Sequence, residues 1–246
     1  MWKVYDAILD RVDADDRIEY VRAGVSWILV RTERGAMGVA SVLAGRSGNP
    51  LDEGAYRGMP LREAAGLVKS WDFEKAALGL AAVNACLNRP ERFPDCGEPD
   101  AFLRYRELAR GRRVAVVGRF QYLEQRLRPI CELSVLERAP ISGEYPDMAC
   151  EYILSDMDLV FITGSTVGNK TLPRLLELTK DAYTVITGPS TPMTEALFDF
   201  GADALCGFCA TWEADCLRAV EDRQGIFAGG RMVVLEADNR RGQPSI

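Results

Sequence analysis

Two stretches combine the residue types that suit ligand chemistry: Thr163-Gly164-Ser165-Thr166, followed by Asn169, and Gly188-Pro189-Ser190-Thr191. Each sets a glycine and hydroxyls directly after a short apolar run. Glycine lets a ligand approach the backbone closely, and Ser and Thr add donors, so such loops suit an anionic group. The same residues also serve as plain helix caps. The first loop continues through Val167-Gly168-Asn169 before a helix begins, which favours ligand binding over capping alone.

Three further sets compete for a role. Cys206-Gly207-Phe208-Cys209 offers two thiols that could hold a soft divalent metal or a metal chelate, were carboxylates or a second chain to complete the shell. Buried thiols that only pack are the alternative. Gly118-Arg119 ends one apolar run and Glu137 ends the next, where a nucleotide fold makes its turn and holds a ribose. Yet only one glycine stands where the dinucleotide fingerprint has three, and Arg119 takes the place of the second. A purely architectural Glu137 competes with the cofactor role. Asn84 falls at the centre of an apolar helical stripe, either tying the helix to a neighbouring loop or lining a cleft.

The chain has 246 residues, a net charge of -6 and no histidine. Serine and cysteine machinery built on histidine is therefore excluded within one chain, as are the histidine zinc motifs. Any general base must be carboxylate, Lys, Cys or Tyr. The acidic balance leaves no electrostatic reason to expect nucleic acid, and Arg110-Gly111-Arg112-Arg113 reads as a solvated approach to a strand. No apolar run is long enough to span a bilayer. Met1-Trp2-Lys3-Val4-Tyr5-Asp6 meets acidic residues where a secretory leader needs a continuous apolar stretch, so a cytoplasmic protein with thiols outside disulfides is expected.

The elements that must position these residues fall into two groups. A helix over Trp2 to Val12 precedes a strand over Ile18 to Ala23 and a hairpin of Ser26 to Thr32 with Ala36 to Leu43, turning at Glu33-Arg34-Gly35. Gly38, inside its second strand, marks a bulge, a close backbone approach or a tolerated glycine. After the turn-rich Ala44 to Met59, Pro60 opens one helix and Asp72 or Ser70 caps a longer one. The breaker-rich Arg89 to Pro99 and a helix from Asp100 then connect to a second domain.

From Arg113, strands alternate with helices: Val114 to Val117, Leu133 to Leu136, Asp158 to Thr163, Tyr183 to Thr187, Ala202 to Gly207 and an edge strand at Met232 to Leu235. Thr171 and Thr191-Pro192 are expected to cap helices, the second running through Phe200 to Gly201, and a last helix spans Thr211 to Gln224. Right-handed crossovers bring both Thr-Gly loops to the carboxyl edge of one parallel sheet, where ligands of such sheets bind. The fold class is α/β, with an α+β domain at 1–110 and a doubly wound, Rossmann-like domain at 111–246.

With these residues in view, the chain resembles an uncharacterised two-domain family labelled for heavy-metal chelation. The resemblance rests on the Gly35 to Leu43 strand, Leu78-Gly79-Leu80-Ala81-Ala82-Val83-Asn84-Ala85, Thr163-Gly164-Ser165-Thr166 with Asn169, and Gly188-Pro189-Ser190-Thr191-Pro192 leading to Leu197-Phe198-Asp199-Phe200-Gly201. It implies an enolase-N-terminal-like domain before the Rossmann-like one, with a site in the cleft between them. Cys206 and Cys209 lie outside the pattern. If the first domain covers the carboxyl edge, Asn84, Arg31 or Thr32 would face the Thr-Gly loops.

The expected function is binding of a small anionic compound, one able to chelate a metal, in the interdomain cleft. The alternative is an enzyme using an adenosine-containing cofactor of the nucleotide or S-adenosylmethionine type at the same edge. No residue pattern names a reaction, and a homo-oligomer is compatible with the sequence.

Overall fold

Helix α1 (Lys3–Leu9) leads into an antiparallel meander of β1 (Ile18–Ala23), β2 (Trp27–Thr32) and β3 (Met37–Ser41). The computed structural model describes residues 2–13, 15–43, 51–93, 98–121, 123–221 and 225–238. Parts of the turn-rich stretch after Leu43, of the breaker cluster before Pro99 and of the last expected helix lie outside them. The β2–β3 turn falls at Glu33-Arg34-Gly35, with Gly35 at φ +84°, a conformation that costs glycine little.

Helices α2 (Leu61–Gly66) and α3 (Phe73–Leu87) follow, and Asp72 caps α3 by accepting from the backbone N of Glu74 at 3.0 Å and of Lys75 at 3.3 Å. Periodicity predicts one buried stripe on α3. Instead the helix is buried all round from Ala76 to Leu87, because it is enclosed by β2, β3, α2 and the loops of the second sheet. Gly38 on β3 is the point of closest approach, since an added Cβ would lie 2.0 Å from the backbone N of Ala85.

Two single turns, α4 (Ala101–Arg104) and α5 (Arg106–Ala109), replace the one helix expected from Asp100, which caps the first of them. Then come β4 (Arg113–Val117), α6 (Leu123–Arg126), β5 (Glu132–Glu137), a two-residue β6 (Tyr145–Pro146), α7 (Cys150–Ile153), β7 (Leu159–Thr163), α8 (Ser165–Gly168), α9 (Leu172–Leu178), β8 (Tyr183–Thr187), β9 (Ala204–Ala210), α10 (Glu213–Glu221) and β10 (Gly230–Glu236). The sheet order is β10-β9-β8-β7-β4-β5-β6, parallel except for β10 against β9. Val114, Val116, Phe161 and Val185 face a core built with α4 to α6, while Ala115, Val160, Ile162 and Ile186 face the opposite one. Strands covered on both faces are uniformly apolar for this reason. The second core runs on through Tyr5, Ile28, Val30 and Leu80, so the two sheets share one interior. Among the described residues no helix is long and apolar enough to cross a membrane.

Three local expectations need correction. Thr191 does not open a helix: residues 191–194 form no regular element, and the Thr194 hydroxyl accepts from Ala196 N at 3.3 Å and caps a 3-10 turn over Glu195–Phe200 that ends at Gly201 with φ +106°. Thr171 makes no side-chain cap on α9, and the Asn169 side-chain oxygen accepts from Thr171 N at 3.0 Å instead. Strand β9 continues to Ala210, three residues beyond the expected end, which places Cys206 and Cys209 within the sheet.

Candidate functional site

Strands β4 and β7 are neighbours, and the chain leaves β4 toward β5 on one side and β7 toward β8 on the other, so the two connections diverge and a crevice opens at their carboxyl ends. A cavity of about 640 Å³ occupies it. Its floor is Val117, Gly118, Leu136, Glu137 and Thr163; Ser165, Thr166 and Asn169 form one wall, and Ser41, Val42 and Leu43 at the end of β3 form the roof. The volume is in the range of small-molecule sites, roughly 300 to 1,000 Å³.

The two Thr-Gly loops lie side by side, because β7 and β8 pair in parallel with Thr163 opposite Thr187. They differ in access. In the first, Thr163 Oγ1 and Ser165 Oγ share a hydrogen bond of 3.0 Å, Thr166 Oγ1 donates to the Thr163 carbonyl, and all three residues line the cavity. The second is sealed in the interior, with Ser190, Thr191 and Met193 buried. Ser190 Oγ accepts from Ser41 N at 2.9 Å and so holds the cavity roof. Asn88 donates to the Thr191 carbonyl at 2.8 Å and the Phe208 carbonyl at 3.1 Å, and accepts from Met193 N at 2.9 Å.

The glycines of the loops serve different contacts. An added Cβ on Gly164 would fall 2.4 Å from Thr191 N, so this glycine lets the two loops pack on each other. Gly188 and Gly118 have φ +106° and +102°, and Gly118 turns the chain into the cavity floor against Thr163. Pro189 follows Gly188, is half-buried, and is not among the lining residues.

Glu137 uses both oxygens on backbone amides, accepting from Arg119 N and Arg138 N at 2.8 Å each, and so ties the loop after β4 to β5. The Arg119 guanidinium is clamped by Glu144, whose carboxyl it holds below the usual range, and by the Ala139 carbonyl. Asn84 donates to the Val39 carbonyl at 2.9 Å, while its buried oxygen has no partner among the described residues. It does not reach the cavity. Arg31 pairs with Glu19 and Glu213, and Thr32 accepts from Ala36 N within the hairpin, so neither faces the Thr-Gly loops.

Four cationic residues line the cavity, Arg119, Arg138, Lys170 and Arg174, with three carboxylates, Glu137, Asp147 and Glu151. Arg174 is bidentate on Glu151, and Arg138 lies 3.9 Å from Asp147. Lys170 stands apart, since its ammonium donates to the Gly168 carbonyl at 2.6 Å and meets no carboxylate among the described residues. Sequence reasoning passed over it, as it did Asn88 and the Ser41 to Leu43 roof. Signals existed in Lys170 directly following Asn169, and in Asn88 standing one helical turn beyond Asn84.

Cys206 and Cys209 are fully buried, but strand alternation sends Cys206 into one core and Cys209 into the other, so the pair does not converge on one ion. Cys150 lines the cavity alone, its thiol pushed up to about 12 by burial and by Asp147. Among the described residues no three Cys, Asp or Glu side chains gather as a metal-binding group.

The profile of the DUF364 family, described as "Putative heavy-metal chelation", matches residues 100–232, and that of DUF4213, with the same description, matches residues 5–87. The chain belongs to this family. An uncharacterised protein of Methanocaldococcus jannaschii is 30% identical over 188 residues, 70% of each chain. The crystal structure of a DUF364-family protein of unknown function from Desulfitobacterium hafniense is 36% identical and superposes with a TM-score of 0.90 over 96% of this chain and 99% of that one. A second DUF364-family protein of unknown function, from Pyrococcus horikoshii, shares the fold at 22% identity and a TM-score of 0.76, over 96% and 98% of the two chains. The two solved chains thus share the fold of this one.

Proposed function

We propose that this chain binds a small anionic compound in the cleft between residues 1–110 and 111–246. The observation that carries the reading is the cavity itself, set where the connections leaving β4 and β7 diverge and lined by Lys170, a cation that meets no carboxylate among the described residues. Arg119, Arg138 and Arg174 each have a carboxylate neighbour, so the attraction for a small anion falls on the charge of Lys170. Ser165 and Thr166 add donors at one wall, and the apolar Val42, Leu43 and Leu175 would shed water around a bound molecule.

The family description enters here as heavy-metal chelation, and the described residues do not supply a donor set for a bare ion. A metal would therefore enter as the complex of an anion that brings its own oxygen or nitrogen donors. An adenosine-containing cofactor finds less support, because both Glu137 oxygens already hold backbone amides and the turn at Gly118 has a single glycine.

A thermal-shift screen tests both readings, since a ligand that binds only the folded state raises its midpoint. Polycarboxylates or phosphates, alone or loaded with a divalent metal, are expected to raise it, and the metal alone is not. A rise with S-adenosylmethionine or nucleotides and none with simple anions would favour the cofactor reading instead.

A further inference from the structure

We propose that Lys170 is the recognition charge of this cleft, its ammonium gripping one carboxylate or phosphate oxygen of the bound anion; this deepens the anion-binding reading above and rests on it. The first support is the backbone. Lys170 is the only non-glycine residue with positive φ among the described residues, at +69°. A side chain in the left-handed region is strained, and glycine or asparagine would occupy the position with less strain. The chain places a lysine there, directly after an asparagine.

The second support is the unused donors. An ammonium has three N–H groups, and one is spent on the Gly168 carbonyl at 2.6 Å. The rings of Trp71 and Phe73 stand 5.9 and 5.8 Å away, stabilising positive charge without accepting a strong hydrogen bond. The residue is 7% exposed and lines the cavity. Arg119 and Arg174, by contrast, are committed to Glu144 and Glu151.

Charged groups on the segments packed around Lys170 include Asp6, Lys69, Asp72, Glu74, Lys75, Glu151, Arg174 and Glu177. Lys69 pairs with Asp6, Asp72 accepts from the backbone amides of Glu74 and Lys75, and Arg174 bridges Glu151 and Glu177. Burial pulls Lys170 down from the ordinary lysine value to about 8. The charge that attracts an anion is therefore lost as pH rises through that value.

Calorimetry of the full chain with citrate and with sulfate, whose charges are nearly constant above neutrality, tests the assignment at about pH 7 and about pH 9 in wild type, Lys170→Met, Lys170→Gly and Lys170→Arg. Wild type is expected to bind citrate and to lose about tenfold in affinity between the two pH values, following the protonated fraction. The Met and Gly variants should bind about tenfold more weakly at the lower pH and show no such dependence. The Arg variant should keep its affinity at both, its charge being permanent. The Gly variant relieves the backbone strain, so weak binding by a Gly variant with an intact melting transition is not unfolding. Met and Gly variants that match wild type at both pH values would overturn the role of Lys170 and leave the cleft reading standing. Wild type that binds neither anion would overturn both.

Discussion

The side-chain amide of Asn88, at the C-terminal end of α3, donates to the carbonyl of Thr191 across 103 residues of sequence at 2.8 Å. The same side chain holds Phe208 O and Met193 N, so one buried amide fastens the long helix to the loop after β8 and to β9. Asn88→Ala would leave two carbonyls and one N–H without partners in the interior. The expected loss is about 2 to 5 kcal/mol of unfolding free energy, read from urea denaturation. A loss below about 0.5 kcal/mol would mean that the seam repairs itself with water.

Two glycines separate steric from conformational strain. Gly164 has an ordinary helical backbone, yet a Cβ there would stand 2.4 Å from Thr191 N and 2.5 Å from its hydroxyl. Gly35 has φ +84° and nothing within 4 Å of an added Cβ. Gly35→Ala should cost about 1 kcal/mol, and Gly164→Ala clearly more, about 2 to 4, because two backbones must part. Equal melting temperatures for the two variants would contradict the packing of the loops.

Cys206 and Cys209 lie on opposite faces of β9, so their joint removal should leave the metal content of the purified protein unchanged. The double change to serine should still cost stability, about 1 to 3 kcal/mol for each more polar hydroxyl placed in a fully buried position. Elemental analysis and denaturation read the two effects separately. Metal lost in a variant that remains folded would restore the thiols as ligands.

The folded-state value of Lys170, about 8, lies below its ordinary 10.5. Between those values the unfolded chain holds more protons than the folded one, so stability from this group rises with pH across that window and is lost as pH falls through about 8. Urea midpoints of wild type and Lys170→Met, compared at about pH 7 and about pH 10, isolate the effect. Wild type should gain on the variant at the higher pH. A constant difference would show an ammonium fully solvated in the folded protein.

Much of the architecture was legible because it is written in short-range pattern. Apolar runs such as Leu159 to Ile162 and Val185-Ile186 announce strands covered on both faces, Asp72 and Asp100 announce helix starts, and crossover handedness brings both Thr-Gly loops to one edge. Each signal depends on residues a few positions apart.

The site was decided by partners distant in the chain. Two loops of almost the same sequence have opposite fates, because Asn88 and Ser41 close over Ser190 and Thr191 while Thr163, Ser165 and Thr166 keep the cavity beside them. The two cysteines part because β9 runs to Ala210 to match β10, a length set by strand pairing and not by its own residues. Lys170 acquires its meaning from the Trp71 and Phe73 rings, about a hundred positions earlier. Burial and charge are sums over everything that packs around a group, so only the folded arrangement assigns them.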